Sequence, residues 1–444
     1  MNLKRRNFMR LAGAAVLGGG CAHSVGSATS TSGTMQLASS STDKWARVRA
    51  EFDQDPAYSN LTGFLLTPHP RPVREAIAAH RDALDKNPAL VLEGQLARSI
   101  AGKDSFDTAP RTAAARFFSA QPEEFALTDS TTMGLGLVYG GFRIGAGKEV
   151  LTTAHDHYST HEALRLRSAK DGVKVRKIVL YADPSRATVD EIAHNLEREI
   201  ARDTRVVGAT WVHSSTGVKL PIRAMADVIA AANRKRAADE RIWFVVDGVH
   251  GFGIENVTMA DLGCDVFVAG CHKWLFGPRG TGIVWARREI WDQIAPTIAA
   301  FDGPPYMAWM QNKAPVASFA VMHTPGGFHS FEHRWALPAA FTFQSEIGRA
   351  EIEGRVHELN TRLKQGLRQM DRIRLHTPVD PNLSSGITCF EVRGIGNDDV
   401  VKRLLERKMI ASTSPYAVSY VRLAPGLLNT SEQVDQALAA VAAL

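Results

Sequence analysis

Lys273 stands in the run Ala269-Gly270-Cys271-His272-Lys273-Trp274-Leu275-Phe276-Gly277-Pro278-Arg279-Gly280-Thr281-Gly282, and Asp247 stands upstream in Val245-Val246-Asp247-Gly248-Val249-His250-Gly251. A lysine amine forms a Schiff base with an aldehyde, and a carboxylate beside an aromatic ring nitrogen keeps that nitrogen protonated. An acid followed by such a lysine is the layout of a pyridoxal phosphate enzyme, whose protonated ring accepts electrons from a substrate carbanion. Neither residue serves that chemistry alone.

The chain between them must bring the two residues together. From about Lys44 to the region of Arg334, apolar β-rich runs alternate with amphipathic helical stretches, the pattern of an open parallel sheet wound with helices. Strands are expected at Glu149 to Thr153, Val175 to Tyr181, Arg205 to Val212, Arg241 to Asp247 and Asp265 to Gly270. Crossover helices are expected at Thr188 to Arg202 and Pro221 to Asp239, each apolar on one face and charged on the other. Ligands of such sheets bind beyond the carboxyl ends of the strands, where Thr153 ahead of His155, Asp247, and Gly270 ahead of Lys273 all fall. A long helix from about Glu332 to Met370 leads into a smaller α+β unit. Its strands are expected near Gly386 to Val392 and Tyr420 to Leu423, and its helices at Asp398 to Lys408 and Ser431 to Leu444.

A chain of 444 residues with 45% apolar content is long enough for two or three domains and a large core. Past the N-terminus no apolar run is long enough to span a bilayer. Four of the six net positive charges come from Lys4, Arg5, Arg6 and Arg10, ahead of the first acid, Asp43. Only two remain downstream, so the balance gives no reason to expect a nucleic-acid partner.

Those four charges belong to Lys4-Arg5-Arg6-Asn7-Phe8-Met9-Arg10, a twin-arginine signature followed by the weakly apolar stretch Leu11 to Gly20. The expectation is export in the folded state to the periplasm, with the export machinery as a partner. In Leu17-Gly18-Gly19-Gly20-Cys21 the leucine lies one place too far upstream for a lipoprotein box. Residues 22 to about 42 are rich in Ser, Thr and Gly and read as a linker. Cys264, Cys271 and Cys389 remain after the signal, an odd number that makes no disulfide framework and agrees with folding in a reducing compartment.

With these segments in view, the chain from about Asn60 onward resembles the class V aminotransferase family of fold type I pyridoxal phosphate enzymes, in its isopenicillin N epimerase-like branch. Asp-Gly-x-His followed by Cys-His-Lys-Trp-Leu and a Gly-x-x-Gly turn carries the resemblance. It implies an α/β fold: a large domain with a mostly parallel seven-stranded sheet over residues 43–335, and a smaller α+β domain over 336–444, following the signal and linker of 1–42. It also implies a homodimer.

The resemblance assigns the Schiff base and the proton shuttle to Lys273 and the pyridine nitrogen contact to Asp247. Asp129-Ser130-Thr131-Thr132-Met133-Gly134-Leu135 resembles the family's phosphate turn, which makes Ser130, Thr131 and Thr132 phosphate ligands at a helix N-terminus. In Thr152-Thr153-Ala154-His155-Asp156-His157-Tyr158, His155 matches the histidine that stacks on the cofactor ring; a shifted alignment gives that place to His157. His-x-His also suggests zinc, but no further Cys/His cluster completes a site. His250 and Ser214 are expected to contact the phenolic oxygen, and His272 the phosphate. Arg422, in Tyr420-Val421-Arg422-Leu423-Ala424-Pro425, matches the clamp for a substrate α-carboxylate. Thr62, Gly63 and Phe64 fall in the N-terminal active-site segment and are expected to face substrate.

Two departures qualify the match. The family's Gly-Thr pair, which reaches the phosphate of the neighbouring subunit, is absent: Phe331-Glu332 runs directly into His333-Arg334-Trp335, leaving Thr324 or Ser330 as substitutes. The related cysteine desulfurases need a nucleophilic cysteine where this chain has Ala411-Ser412-Thr413-Ser414-Pro415-Tyr416, which disfavours that activity. The expected function is an exported enzyme acting at the α-carbon of an amino acid or of a peptide-borne amino group, by epimerisation or transamination. The alternatives are C–S lyase-type elimination and a periplasmic binding protein without turnover, which would have no use for the clamp at Arg422.

Overall fold

The computed structural model describes residues 41–101, 103–314 and 320–444, so the twin-arginine segment and most of the linker lie outside the described residues. The described chain forms strands β1 (Ser59–Asn60), β2 (Phe125–Thr128), β3 (Glu149–Thr153), β4 (Lys174–Ile178), β5 (Thr204–Thr210), β6 (Trp243–Asp247), β7 (Val266–Gly270), β8 (Gly282–Ala286), β9 (Ile373–Leu375), β10 (Thr388–Val392), β11 (Met409–Ile410), β12 (Ser412–Thr413) and β13 (Val421–Leu423). Seven of them make one sheet in the order β2-β8-β7-β6-β5-β3-β4. Only β8 runs against its neighbours, pairing antiparallel with β2 and β7. The five expected strands all appear, shifted by a few residues at their ends, and β2 and β8 complete the seven.

These strands read as continuous apolar runs because both faces of the sheet are covered. Successive residues alternate between two cores: Phe244, Val246, Phe267 and Ala269 join one, while Val245, Val266 and Val268 join the other. The first core is roofed by helices Arg71–Lys86, Ala109–Phe118, Val189–Glu199, Ile222–Asn233 and Phe331–Ile347, the second by Thr131–Gly141 and Tyr158–Asp171. Among the described residues no helix is long and apolar enough to cross a membrane.

The C-terminal unit is a four-stranded antiparallel sheet, β12-β13-β10-β9, packed with helices Arg349–Arg368, Asn397–Glu406 and Ser431–Ala442 around Leu359, Leu363, Phe390, Val421 and Val434. The N-terminal segment is stitched to it, since β1 pairs in parallel with β11. Two expectations are corrected. The helix expected over 332–370 is two helices, broken at Gly348, whose φ of 98° lies where glycine is favoured. The boundary expected at 335/336 falls inside the first of them, and Ala336, Leu337, Ala340 and Phe341 still pack into the large core.

Candidate active site

The carboxyl ends of β5, β6 and β7 and the start of helix Thr131–Gly141 open into a cavity of about 160 Å³. It is lined by Ser130, Thr131, Thr132, Ser214, Asp247, His250, His272, Lys273, Arg422 and Phe64 from among the expected residues. Leu65, His157, Ser159, Thr210, Val249 and Pro415 line it as well.

Asp247 ends β6 and is 3% exposed. Its Oδ1 accepts from the Val249 N–H at 3.2 Å, and no cation among the described residues forms an ion pair with it. Burial is the main cause that pushes its carboxyl up to about 6, opposed by the Val249 N–H and the Lys273 charge and reinforced by Asp156. Burial likewise pulls the Lys273 amine down to about 8; Asp247 raises it and Arg422 lowers it further. Lys273 Nζ lies 3.3 Å from His250 Nε2.

The segment carrying Lys273 is fixed from several sides. The Thr67 hydroxyl donates to the carbonyls of Lys273, at 2.7 Å, and His272, at 3.1 Å. Gln344 Nε2 donates to the Trp274 carbonyl at 2.5 Å, and the Gly277 N–H donates to the Cys271 carbonyl at 2.8 Å. Phe276 closes the turn at a φ of 60°, a left-handed conformation that costs a bulky residue about 1–2 kcal/mol. Its buried ring packs edge-on against Phe52, which offsets part of that cost.

At the other end of the cavity Ser130 is extended, and its Oγ accepts from the Met133 N–H at 3.1 Å, capping the helix. Thr131 Oγ1 accepts from the Gly270 N–H at 2.8 Å, tying the helix start to the end of β7. A helix leaves its first N–H groups without intrahelical acceptors, which suits an anion. A Cβ on Gly270 would come within 2.9 Å of His272 Cε1 and 3.1 Å of Thr131 Oγ1, so glycine lets these two side chains approach.

Arg422 on β13 is 6% exposed, with its guanidinium carbon 4.2 Å from the centre of the Phe64 ring. It donates to Ser412 Oγ and the Thr413 carbonyl, both at 2.9 Å, and to the Ser214 carbonyl at 3.2 Å. This preorganises a cation on the wall supplied by the C-terminal unit.

Several expected residues are placed elsewhere. His155 does not line the cavity; its ring stacks on Tyr181, 4.4 Å between centres, and His157 lines the cavity instead. The reason is Asp156, whose buried carboxylate turns inward to accept from the Thr152 hydroxyl at 2.6 Å, the Thr153 N–H at 2.7 Å and the Thr210 N–H at 2.8 Å. That turn carries the chain past His155 and delivers His157 as the cap of the next helix. The Thr62 hydroxyl donates to Asn60 Oδ1 at 2.7 Å, and Gly63 faces the Trp274 ring, so neither lines the cavity. The Ser214 hydroxyl lines it but is paired with Tyr416 Oη at 2.7 Å. Of the two candidates for the missing cross-subunit contact, Thr324 is used within its own chain, accepting from the Leu127 N–H at 3.0 Å, whereas Ser330 is exposed.

The cavity fits pyridoxal phosphate on its own chemistry. A buried carboxylate without a cation matches a pyridinium N–H, and a buried amine matches an aldehyde. Thr210 Oγ1, buried beside Asp247 in register across β5 and β6, has no hydrogen-bond partner among the described residues.

The class-V aminotransferase model matches residues 71–436. The chain belongs to the class-V aminotransferase family. It is accordingly a pyridoxal phosphate-dependent enzyme. Isopenicillin N epimerase of Streptomyces clavuligerus is 25% identical over 415 residues, covering 90% of this chain and 98% of that one. A cysteine desulfurase of Klebsiella pneumoniae subsp. pneumoniae is 26% identical over 354 residues, covering 74% and 80%. Among solved structures, the cystine C–S lyase C-DES in complex with cysteine persulfide superposes with a TM-score of 0.76 at 20% identity, over 87% of this chain and 97% of that one. The class-V chain thus has the fold type I architecture. None of its described cysteines lines the cavity: Cys264, Cys271 and Cys389 are buried, with thiols pushed up to about 12 by that burial.

The Asp247 carboxyl has a stability signature. Its folded pKa of about 6 lies above the ordinary carboxylate value, so the folded state binds the proton more tightly and loses stability as pH rises through that window. In cofactor-free protein, Asp247→Asn is therefore expected to stabilise the fold at pH 7 by roughly 2–3 kcal/mol and to leave it unchanged below pH ~4. Urea denaturation at several pH values measures this; a difference that does not vary with pH contradicts it.

Proposed function

We propose that this enzyme acts at the α-carbon of a substrate bearing an amino group next to a carboxylate. The observation that carries the reading is one cavity that holds a buried amine at Lys273, a buried acid at Asp247 and a preorganised guanidinium at Arg422. When bound, pyridoxal phosphate supplies an aldehyde for the amino group and an electron-accepting ring. Ser130, Thr131, Thr132 and His272 would hold its phosphate, Asp247 its ring nitrogen and His157 one face of its ring, with His250 and Thr210 available to its remaining polar atoms.

In this reading Arg422 binds the substrate carboxylate and fixes which bond at the α-carbon faces Lys273. Lys273 Nζ removes the α-proton and returns it, a task suited to an amine whose pKa burial has brought near neutrality. Asp247 would hold the proton at the ring nitrogen, and Phe64, buried in the cavity wall, would help to exclude water from the reacting carbon. The similarity to an epimerase supports proton return to the α-carbon as the outcome, and the lack of a cysteine among the described residues that line the cavity weighs against a desulfurase.

The test is visible absorption of the loaded enzyme with a panel of α-amino acids, cystine and short peptides, followed by borohydride reduction and peptide mapping. The expected result is cofactor fixed to the peptide containing Lys273, a spectral response to at least one α-amino acid, and an Arg422→Ala variant with KM raised roughly 10²-fold. Cofactor fixed elsewhere, or a response that survives loss of the substrate carboxylate, contradicts the reading.

We further propose that the enzyme is exported folded through the twin-arginine route and works in the periplasm as a homodimer, without a lipid anchor. The run Lys4 to Arg10 supports the first point. Phe301, Trp309 and Phe328, exposed by 62%, 72% and 80%, support the second, because a second copy of the chain would cover such aromatic surface. Cell fractionation followed by sedimentation is expected to find a periplasmic dimer, and Arg5→Lys with Arg6→Lys is expected to retain the protein in the cytoplasm. A monomer, or export that survives those substitutions, contradicts this proposal.

A further inference from the structure

The lysine's neighbour in sequence reaches its neighbour in space. The Trp274 indole N–H donates to His250 Nδ1 at 3.4 Å, while His250 Nε2 faces Lys273 Nζ at 3.3 Å. His250 and Trp274 are 5% and 4% exposed. A neutral imidazole has one N–H and one lone pair, so a donor at Nδ1 forces the proton onto Nε2. We propose that Trp274 is a positioning residue, whose indole N–H locks His250 in the Nε2–H tautomer so that it meets the Lys273 amine as a hydrogen-bond donor.

The consequence for Lys273 is one of sign. An ammonium has three donors and no lone pair, so it meets a fixed N–H as donor against donor; a free amine accepts that N–H through its lone pair. The lock therefore favours the free amine, the form that attacks an aldehyde and takes an α-proton. Burial and the charges around it push His250 well down, which keeps the ring neutral. The other groups facing Lys273 are Asp247, which favours the ammonium, Arg422, which opposes it, and His157 and His272, both held below their ordinary range by burial first and by Lys273 second.

Trp274 is held by parts of the chain that also shape the substrate side. A Cβ on Gly63 would lie 3.0 Å from the indole ring, on Gly386 also 3.0 Å and on Gly426 3.2 Å. Three glycines from the N-terminal segment and the C-terminal unit thus form a slot for one ring. Gly63 precedes Phe64 and Gly426 follows β13, which carries Arg422. The same slot that seats the indole therefore links the placement of the Arg422 wall to the protonation of Lys273.

The inference rests on Lys273 as the cofactor lysine, but its test needs no substrate, so the two readings fail separately. Full-length protein labelled with ¹⁵N-histidine, with and without pyridoxal phosphate, reports the tautomer of His250, assigned by loss of its signals in His250→Gln. The expected spectrum has Nε2 protonated and Nδ1 bare; Trp274→Phe, which keeps a ring in the slot, should leave a mixture of both tautomers. Mass-spectrometric labelling of Lys273 in cofactor-free protein should then show roughly fivefold lower reactivity near pH 8 in Trp274→Phe, with its midpoint moved up by about one pH unit. A protonated Nδ1 in the parent overturns the proposal even if the variant fails to fold. So does a folded Trp274→Phe that leaves both the tautomer and the Lys273 midpoint where they were, because a merely structural role for Trp274 predicts that result.

Discussion

The rest of the site depends on keeping a buried carboxylate and a buried amine in one cavity without letting them pair. Asp247 ends β6 and Lys273 lies just past the end of the adjacent parallel strand β7, and a direct salt bridge would consume both groups the chemistry needs. Each is instead held by a neutral partner from its own surroundings, Asp247 by the Val249 N–H and Lys273 by the His250 ring. Burial then moves both pKa values toward neutrality, the acid up and the amine down. The fold bears the cost of two poorly solvated groups, and a cofactor with a pyridinium nitrogen and an aldehyde would relieve it.

That arrangement explains why so much of the surrounding structure is polar and buried. Asp156, which burial pushes up but its contacts with His213, Thr152 and Thr153 together draw down to about 2, fastens the end of β3 to the end of β5. His213, Tyr181 and Thr216 continue the network behind the cavity. Between the domains, the Glu255 carboxylate takes Lys219 at 2.6 Å, Ser385 at 2.6 Å and His357 at 2.9 Å, joining the large domain to the C-terminal unit that carries Arg422. The cavity is thus assembled from three parts of the chain, and its geometry follows from how rigidly these networks hold them.

The residues that sequence alone could locate are those whose chemistry coincides with a strand end. Asp247, Lys273 and the Ser130–Thr132 turn were legible because they lie at or just past the ends of β6, β7 and β2, on the edge of the sheet where ligands bind. His155 was misplaced because the turn after β3 is governed by Asp156, and nothing local reveals that this acid folds inward. Thr210 was missed for a related reason: its hydroxyl matters only through its register with Asp247 on the neighbouring strand. The helix break at Gly348 was hidden by periodicity that continues on both sides of it. The insertion of β8 between β7 and β2 depends on its pairing with the distant β2, which hydrophobic pattern does not encode.

The central claim is that Lys273 moves a proton at the α-carbon of an amino-acid substrate held by Arg422. The most direct test is α-hydrogen exchange in deuterated water, followed by NMR with the loaded enzyme and the amino acid that perturbs its spectrum. The account predicts deuterium at the α-carbon with the parent enzyme and a loss of exchange of at least ~10³-fold in Lys273→Ala that retains bound cofactor. Exchange that persists in that variant, or a product formed with the α-hydrogen fully retained, would contradict it.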